Sequence, residues 1–175
     1  MEEQTEQITV KQVSIKWGLI LGIISIILFL TLYFGGLMGE SWAGLLNALF
    51  TIVIIYLAHK EFKDQGNSYM SYGQGLGMGT LTSAISGVVS SLFTYVYIKF
   101  INPDYVVELL DLSIAKMEAQ GQGDAQIDAA MGFMEKLMTP EIMLGTGLVS
   151  AIFFGFIISL IVSAFTKNND PSLEI

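Results

Sequence analysis

The chain has no cysteine, no arginine and a single histidine, His59. The first absence excludes disulfides, thiol catalysis and thiolate metal centres. With one histidine besides, a zinc site of the usual kind is out of reach. Without arginine no surface can form the planar fork that grips phosphate or guanine, so nucleic acid is excluded as a partner. Charge is scarce as well. Only 14% of the 175 residues are charged, where soluble domains carry about a quarter. The acids outnumber the lysines 16 to 8, for a net charge of -8, and they sit mostly outside the apolar stretches.

What the chain has instead is apolar mass, 53% of its residues, gathered into four blocks free of Asp, Glu and Lys. They cover residues 17–34, 42–58, 72–98 and 142–165. The first gives a helix about 27 Å long, enough for a bilayer core. In lipid the backbone must satisfy its own hydrogen bonds, so the blocks are helices. Buried helices of a soluble bundle would need a polar face, and none is visible. The fold class expected is all-α: a four-transmembrane-helix bundle. Trp17, Tyr33, Trp42, Tyr56, Tyr72 and Tyr97 lie near block ends, where amphipathic rings prefer the headgroup zone. Gly35, Gly36 and Gly39 break the first helix, so blocks one and two form an antiparallel hairpin. No small-x-small cleavage pattern follows block one, so it reads as a retained span and not as a secretory signal.

Lysines set the expected orientation. Lys11, Lys16, Lys60, Lys63 and Lys167 fall on one side of an even number of spans. Glu40 and the segment 102–141, with eight acids against Lys116 and Lys136, fall on the other. Lys99 at the border of that segment argues the other way. The positive-inside rule then places both termini in the cytoplasm. This divides the chain into a cytoplasmic segment 1–16, spans one to three over 17–101, an outer segment 102–141, span four over 142–166 and a cytoplasmic tail 167–175.

Block three carries the clearest pattern. Gly75, Gly79, Ser83, Gly87 and Ser91 recur every fourth residue, with Thr82, Ser86, Ser90 and Thr94 in a row beside them. Block four repeats the device with Gly147, Ala151, Gly155, Ser159 and Ser163, and block one has a shorter form in Gly18 and Gly22. Such rows let another helix approach closely and gain dispersion contacts. Two readings stand open: packing within the bundle, or docking of another integral membrane protein or a second copy.

In the outer segment, Asn102-Pro103-Asp104 predicts a helix start, with Asn102 as the cap and Pro103 at the first helical position. Val106, Leu109, Leu110, Ile114 and Met117 follow at helical spacing. Gly121-Gln122-Gly123 ends that helix. Asp124 is placed to cap a second one, with Ile127, Ala130, Met131, Met134, Leu137 and Met138 on one face. Thr139-Pro140-Glu141 restarts the chain into block four. The expectation is an amphipathic helical hairpin on the outer membrane surface or folded over the bundle. Asp104, Glu108, Asp111 and Glu118 read as a solvated face. The methionines rest against lipid or the bundle, or line an adaptable partner groove.

No catalytic constellation, metal site or cofactor fingerprint is found. Gly73, Gly75, Gly77 and Gly79 open a membrane helix and suit close packing better than phosphate binding. His59 beside Lys60 and Glu61 could act as a base, yet no nucleophile is identifiable. An interface histidine with its hydrogen bonds met is the simpler reading. Asn47, the one amide within a span, needs a partner on another helix. The hydroxyl rows could line a lipid or solute groove, or bond their own backbone four residues earlier.

Several short elements resemble the bacterial family called domain of unknown function 4199. They are Lys16-Trp17-Gly18-Leu19, Ser71-Tyr72-Gly73-Gln74-Gly75 leading to Gly79, Ile101-Asn102-Pro103-Asp104, and a last span ending at Lys167. The resemblance covers roughly residues 11–166. The linker after the second span departs from it, with Lys60 and Lys63 where arginine is expected. It implies a four-span protein of the bacterial inner membrane, no assigned activity and no catalytic residues, with a place in cell-envelope assembly. The reading that results is a non-enzymatic accessory or scaffold subunit, lying in membrane lipid and packing on another membrane protein through small-residue faces. The alternative is a lipid or small-solute carrier.

Overall fold

The computed structural model describes residues 8–38, 40 and 42–169. Gly39 and the outer parts of both terminal segments lie outside them. The fold is all-α. Helices α1 (Val10–Phe34), α2 (Ala43–Gln65), α3 (Tyr72–Val96) and α6 (Pro140–Thr166) are each long and apolar enough to cross a membrane. Between α3 and α6 stand α4 (Tyr105–Ala119) and α5 (Asp124–Leu137). A π-helical turn, Tyr97–Ile101, continues α3.

The helix ends follow from local chemistry. Thr9 and Gln12 form a capping box that starts α1 seven residues before the apolar block. Ser71 and Gln74 form another for α3. Thr139 caps α6 through the Ile142 amide, with Pro140 in its first turn. α1 ends in a Schellman turn: the Leu37 amide donates to Leu32 O and that of Gly36 to Tyr33 O. This places Gly36 at φ +66°, where a side chain would be strained. Gly121, at φ +76°, closes α4 the same way.

Two predicted caps are corrected. α4 starts at Tyr105 behind Asp104, and Asn102 makes no side-chain cap. Its amide instead donates to Tyr33 Oη, 2.6 Å away, a bond to another helix in place of the local cap. Gly123, not Asp124, is the cap residue of α5, and Asp124 lies in its first turn.

α3 is the central helix. It packs along its length on α6 on one side and on α1 on the other. α2 lies at the edge. Its buried residues, Ile54, Ile55, Ala58, His59 and Phe62, all belong to its C-terminal half. The four helix ends bearing Lys16, Glu61, Ser71 and Thr166 share one end of the bundle, here the terminal end. The α4–α5 hairpin caps the other. Apolar clusters form at both ends: Val13, Ala58, Phe62, Met70 and Met78 at the terminal end, and Tyr97, Ile98 and Tyr105 with Phe29 and Phe93 at the hairpin end. Between them the α3–α6 seam is made of small residues, with Leu21, Ile54 and Ile55 buried around it. At the terminal end Met70 and Asn168 form a single antiparallel bridge, which ties the chain after α6 to the loop before α3.

Candidate functional site

The predicted small residues meet one another. A Cβ added to Gly75 would stand 2.9 Å from Ser163 Oγ, one on Gly87 would stand 2.7 Å from Ala151 Cβ, and one on Gly147 would stand 2.8 Å from Ser91 Oγ. Gly79 abuts Ser159, and Gly155 abuts Ser83. The layers are therefore Gly75–Ser163, Gly79–Ser159, Ser83–Gly155, Gly87–Ala151 and Ser91–Gly147. This is an antiparallel register in which each layer sets one glycine against one serine or alanine. Every layer holds a single small side chain, so the two backbones stay close over about 24 Å. In lipid such closeness is what drives association, because tails are as apolar as the side chains.

The second face of α3 meets α1 in the same manner, with the helices parallel. Gly18 lies under Ile85 and the Thr82 carbonyl, and Gly22 under Val89 and Ser86. Ser14 Oγ donates to Val10 O at 2.8 Å and lies 3.2 Å from Met78 O. The hydroxyl rows are thus embedded in seams. Ser90 and Ser159 bond their own backbone four residues earlier. Thr82, Ser83 and Ser163 hydroxyls are buried with no partner among the described residues.

His59 is fully buried where α2, α3 and α6 converge. Its Nε2 lies 2.9 Å from Gly75 O and its Nδ1 2.7 Å from Thr166 Oγ1. A carbonyl can only accept, so Nε2 carries the proton, and the one proton of the Thr166 hydroxyl lies between Nδ1 of the neutral ring and Val162 O, 2.8 Å away. Both nitrogens are occupied. Lys63 Nζ donates to Thr166 O at 3.0 Å, a cation at the negative end of α6. Among the described residues no group of three His, Asp or Glu side chains is placed to hold a metal.

Glu61, read from the sequence only as a neighbour of His59, joins α1 to α2. It accepts from Lys16 Nζ at 2.9 and 2.8 Å and from Trp17 Nε1 at 2.7 Å. The Lys16-Trp17-Gly18 element is thus a docking unit: two donors for Glu61, then a glycine under α3. The Ser71–Gly75 element works alike. Ser71 and Gln74 cap the helix, Tyr72 Oη donates to Leu160 O at 3.3 Å, and Gly75 offers its carbonyl to His59.

At the hairpin end an aromatic group forms around Phe29, with Tyr33, Phe93, Tyr97 and Tyr105 in ring contact. Tyr33 Oη donates to Glu108 Oε2 at 2.7 Å while accepting from Asn102. Burial, then the neighbouring phenols and Glu108, push the Tyr105 phenol up to about 12. Beside Tyr33 and Tyr105 lies a half-open cavity of about 160 Å³. Met38, Leu109 and Leu112 make its apolar lining, and Glu108 and Gly36 complete it. Lys99 is held apart, paired with Glu141 at 2.8 Å and bonded to Tyr95. Nothing in the sequence flagged this cluster beyond the interfacial placing of Tyr33 and Tyr97.

Asn47 finds no partner helix. It is exposed on the hairpin-end half of α2, because α2 approaches the bundle only over its other half. Gly44 beside it has nothing within 4 Å of an added Cβ. The hairpin methionines Met117, Met131, Met134 and Met138 are half-buried, and Ile127 is the one buried residue of α5.

Four apolar helices joined by small-residue seams, with a helical hairpin over one end, define a multi-pass α-helical membrane protein. The match of a family model over residues 16–168 is to Protein of unknown function (DUF4199). The chain belongs to that family, as its Lys16, Ser71 and Asn102 elements suggest. No match was found among curated proteins or among solved structures.

Proposed function

We propose that this chain is a non-enzymatic subunit of the bacterial inner membrane that holds a helix of another integral membrane protein. The observation that carries the reading is the open stripe of α2. Gly44, Asn47, Ala48 and Thr51 share one helix face by their spacing, and it continues the face that buries Ile55, Ala58 and Phe62 further along. Asn47 there is an amide with no side-chain hydrogen-bond partner among the described residues, exposed to a layer that holds little water. A helix lying against Gly44 and Ala48 could come close enough to bond it. The small-residue rows of α3 and α6 face each other, so docking through them would require the bundle to open. The filled hydrogen bonds of His59 favour a structural role over a catalytic one. The terminal-end lysines Lys11, Lys16, Lys60, Lys63 and Lys167 support cytoplasmic termini.

A photo-crosslinking amino acid at position 47 tests this. It is expected to yield one discrete protein adduct, absent when the crosslinker sits at Leu49, which is 54% exposed. Gly44→Leu should abolish the adduct. An adduct of twice the chain's own mass would make the partner a second copy. Lipid adducts alone at position 47 would refute the reading. Labelling of residues 102–141 in intact spheroplasts checks the orientation: protection from outside reagents would reverse it.

A second reading, a carrier of lipid or small solute, has one observation in its favour: the cavity beside Tyr33 and Tyr105. The hydroxyl rows do not support it, since Ser86 is buried against Gly22.

A further inference from the structure

The cavity at the hairpin end has chemistry that the docking reading does not use. Two tyrosine rings, Tyr33 and Tyr105, stand 5.5 Å apart at 57° and are both in its lining. Glu108 adds a carboxylate. One oxygen of that carboxylate accepts from Tyr33 Oη, whose own oxygen accepts from Asn102. This chain of donors fixes the carboxylate and leaves Oε1 without a bond among the described residues. No lysine lines the cavity. Ring faces are negative, and a carboxylate beside them adds a full charge, so the lining favours a cation. The surroundings agree: residues 102–141 carry eight acids and two lysines.

Size and place narrow the choice. About 160 Å³ is less than the roughly 300–1,000 Å³ of ordinary small-molecule sites, yet holds far more than one water. Met38, Leu109 and Leu112 suit methylenes beside the charge. A bare metal ion would want several oxygens, and the cavity lining has one carboxylate. The cavity adjoins the end of α1, where Phe34 is 75% exposed, so it lies at the membrane border.

We propose that this cavity binds a primary ammonium group, with Glu108 as the counter-charge and Tyr33 and Tyr105 as aromatic walls, presented by a phospholipid headgroup at the hairpin-end membrane surface. The ammonium donates to Glu108 Oε1 and rests against the ring faces, while the acyl chains stay in the bilayer. The proposal stands independently of partner docking at α2.

Native mass spectrometry of the full chain in mild detergent provides the test, with short-chain phosphatidylethanolamine, short-chain phosphatidylglycerol and free ethanolamine as probes. Wild type is expected to retain the ethanolamine lipid at least about tenfold better than the glycerol lipid. Glu108→Gln should remove that preference. Asp111→Asn, one helical turn along α4 but outside the cavity, should keep it. Displacement of the lipid by millimolar ethanolamine would make the free amine a ligand as well; failure to displace it would restrict the site to lipid. Equal retention of the two lipids by wild type would overturn the proposal whether or not the variant folds. So would an unchanged preference in Glu108→Gln.

Discussion

Adding one methyl group to α3 should have opposite effects at two glycines ten residues apart. At Gly87 an added Cβ would stand 2.7 Å from Ala151 Cβ, about 1 Å inside ordinary carbon contact. Ala151 has no rotamer through which to yield, so the α3–α6 backbones must part. Separation weakens the neighbouring layers too. Overpacking of this kind costs about 1–3 kcal/mol. At Gly77 an added Cβ meets nothing within 4 Å, and alanine favours a helix by about 0.5–1 kcal/mol over glycine. Gly87→Ala should therefore lower the unfolding midpoint, by about 2–4 °C for each kcal/mol in a chain of this size. Gly77→Ala should leave it unchanged or raise it slightly. The pair Gly87→Ala with Ala151→Gly restores one methyl to the layer. It should be more stable than the sum of its single variants by about 1–3 kcal/mol, the coupling expected of residues in contact. Circular dichroism during thermal or SDS unfolding in detergent reads all four. Gly87→Ala no less stable than Gly77→Ala, or a strictly additive double variant, would refute the facing-layer geometry.

Glu61→Ala should release Trp17 and Lys16 together. Since the Lys16–Glu61 pair is partly solvated, a loss of about 1–2 kcal/mol is expected, with a red shift of Trp17 emission in a Trp42→Phe background. His59→Ala leaves Gly75 O short of its side-chain partner and a void between α2, α3 and α6, while the Thr166 hydroxyl keeps Val162 O. It should cost about 2–4 kcal/mol by the same unfolding assay; a fully stable variant would remove His59 from the set of structural residues. The Tyr105 phenol, pushed up to about 12 from 10 by burial, favours its neutral form in the folded chain. Its contribution is complete below pH 10 and is lost as pH rises from about 10 to about 12. Tyr105→Phe should flatten that part of the alkaline stability curve, and the alkaline phenolate absorbance step should lose a late component.

The short elements that marked the family have physical roles at helix junctions. Lys16, Trp17 and Gly18 can be read as an interfacial start of a span, but their common target, Glu61, lies 44 residues from Trp17. Ser71 and Gln74 announce a capping box by spacing alone. Gly75 gives no sign that its carbonyl meets His59. Asn102 shows how a local expectation fails: Asn before Pro suits a helix cap, yet Tyr33 Oη offers a bond from another helix, and α4 starts behind Asp104 without a side-chain cap. Asn47 fails in the opposite sense. A partner was expected because an amide in lipid needs one, but α2 leaves the bundle before reaching that depth.

Hydropathy and four-residue periodicity settled the number of spans, the helical hairpin between the third and fourth, and the small faces of α1, α3 and α6. These are properties of one segment at a time. The tertiary structure decided which face meets which: one row of α3 against α6, the other against α1, and α2, which has no sustained small row, at the edge. It also decided the register, in which glycine never faces glycine and serine never faces serine along the α3–α6 seam. A row of small residues specifies only that something can come close. Sliding one helix by a turn preserves both rows while changing which residues face each other. The register is settled by the volume each layer must share and by the bulky clusters that close the seam at both ends.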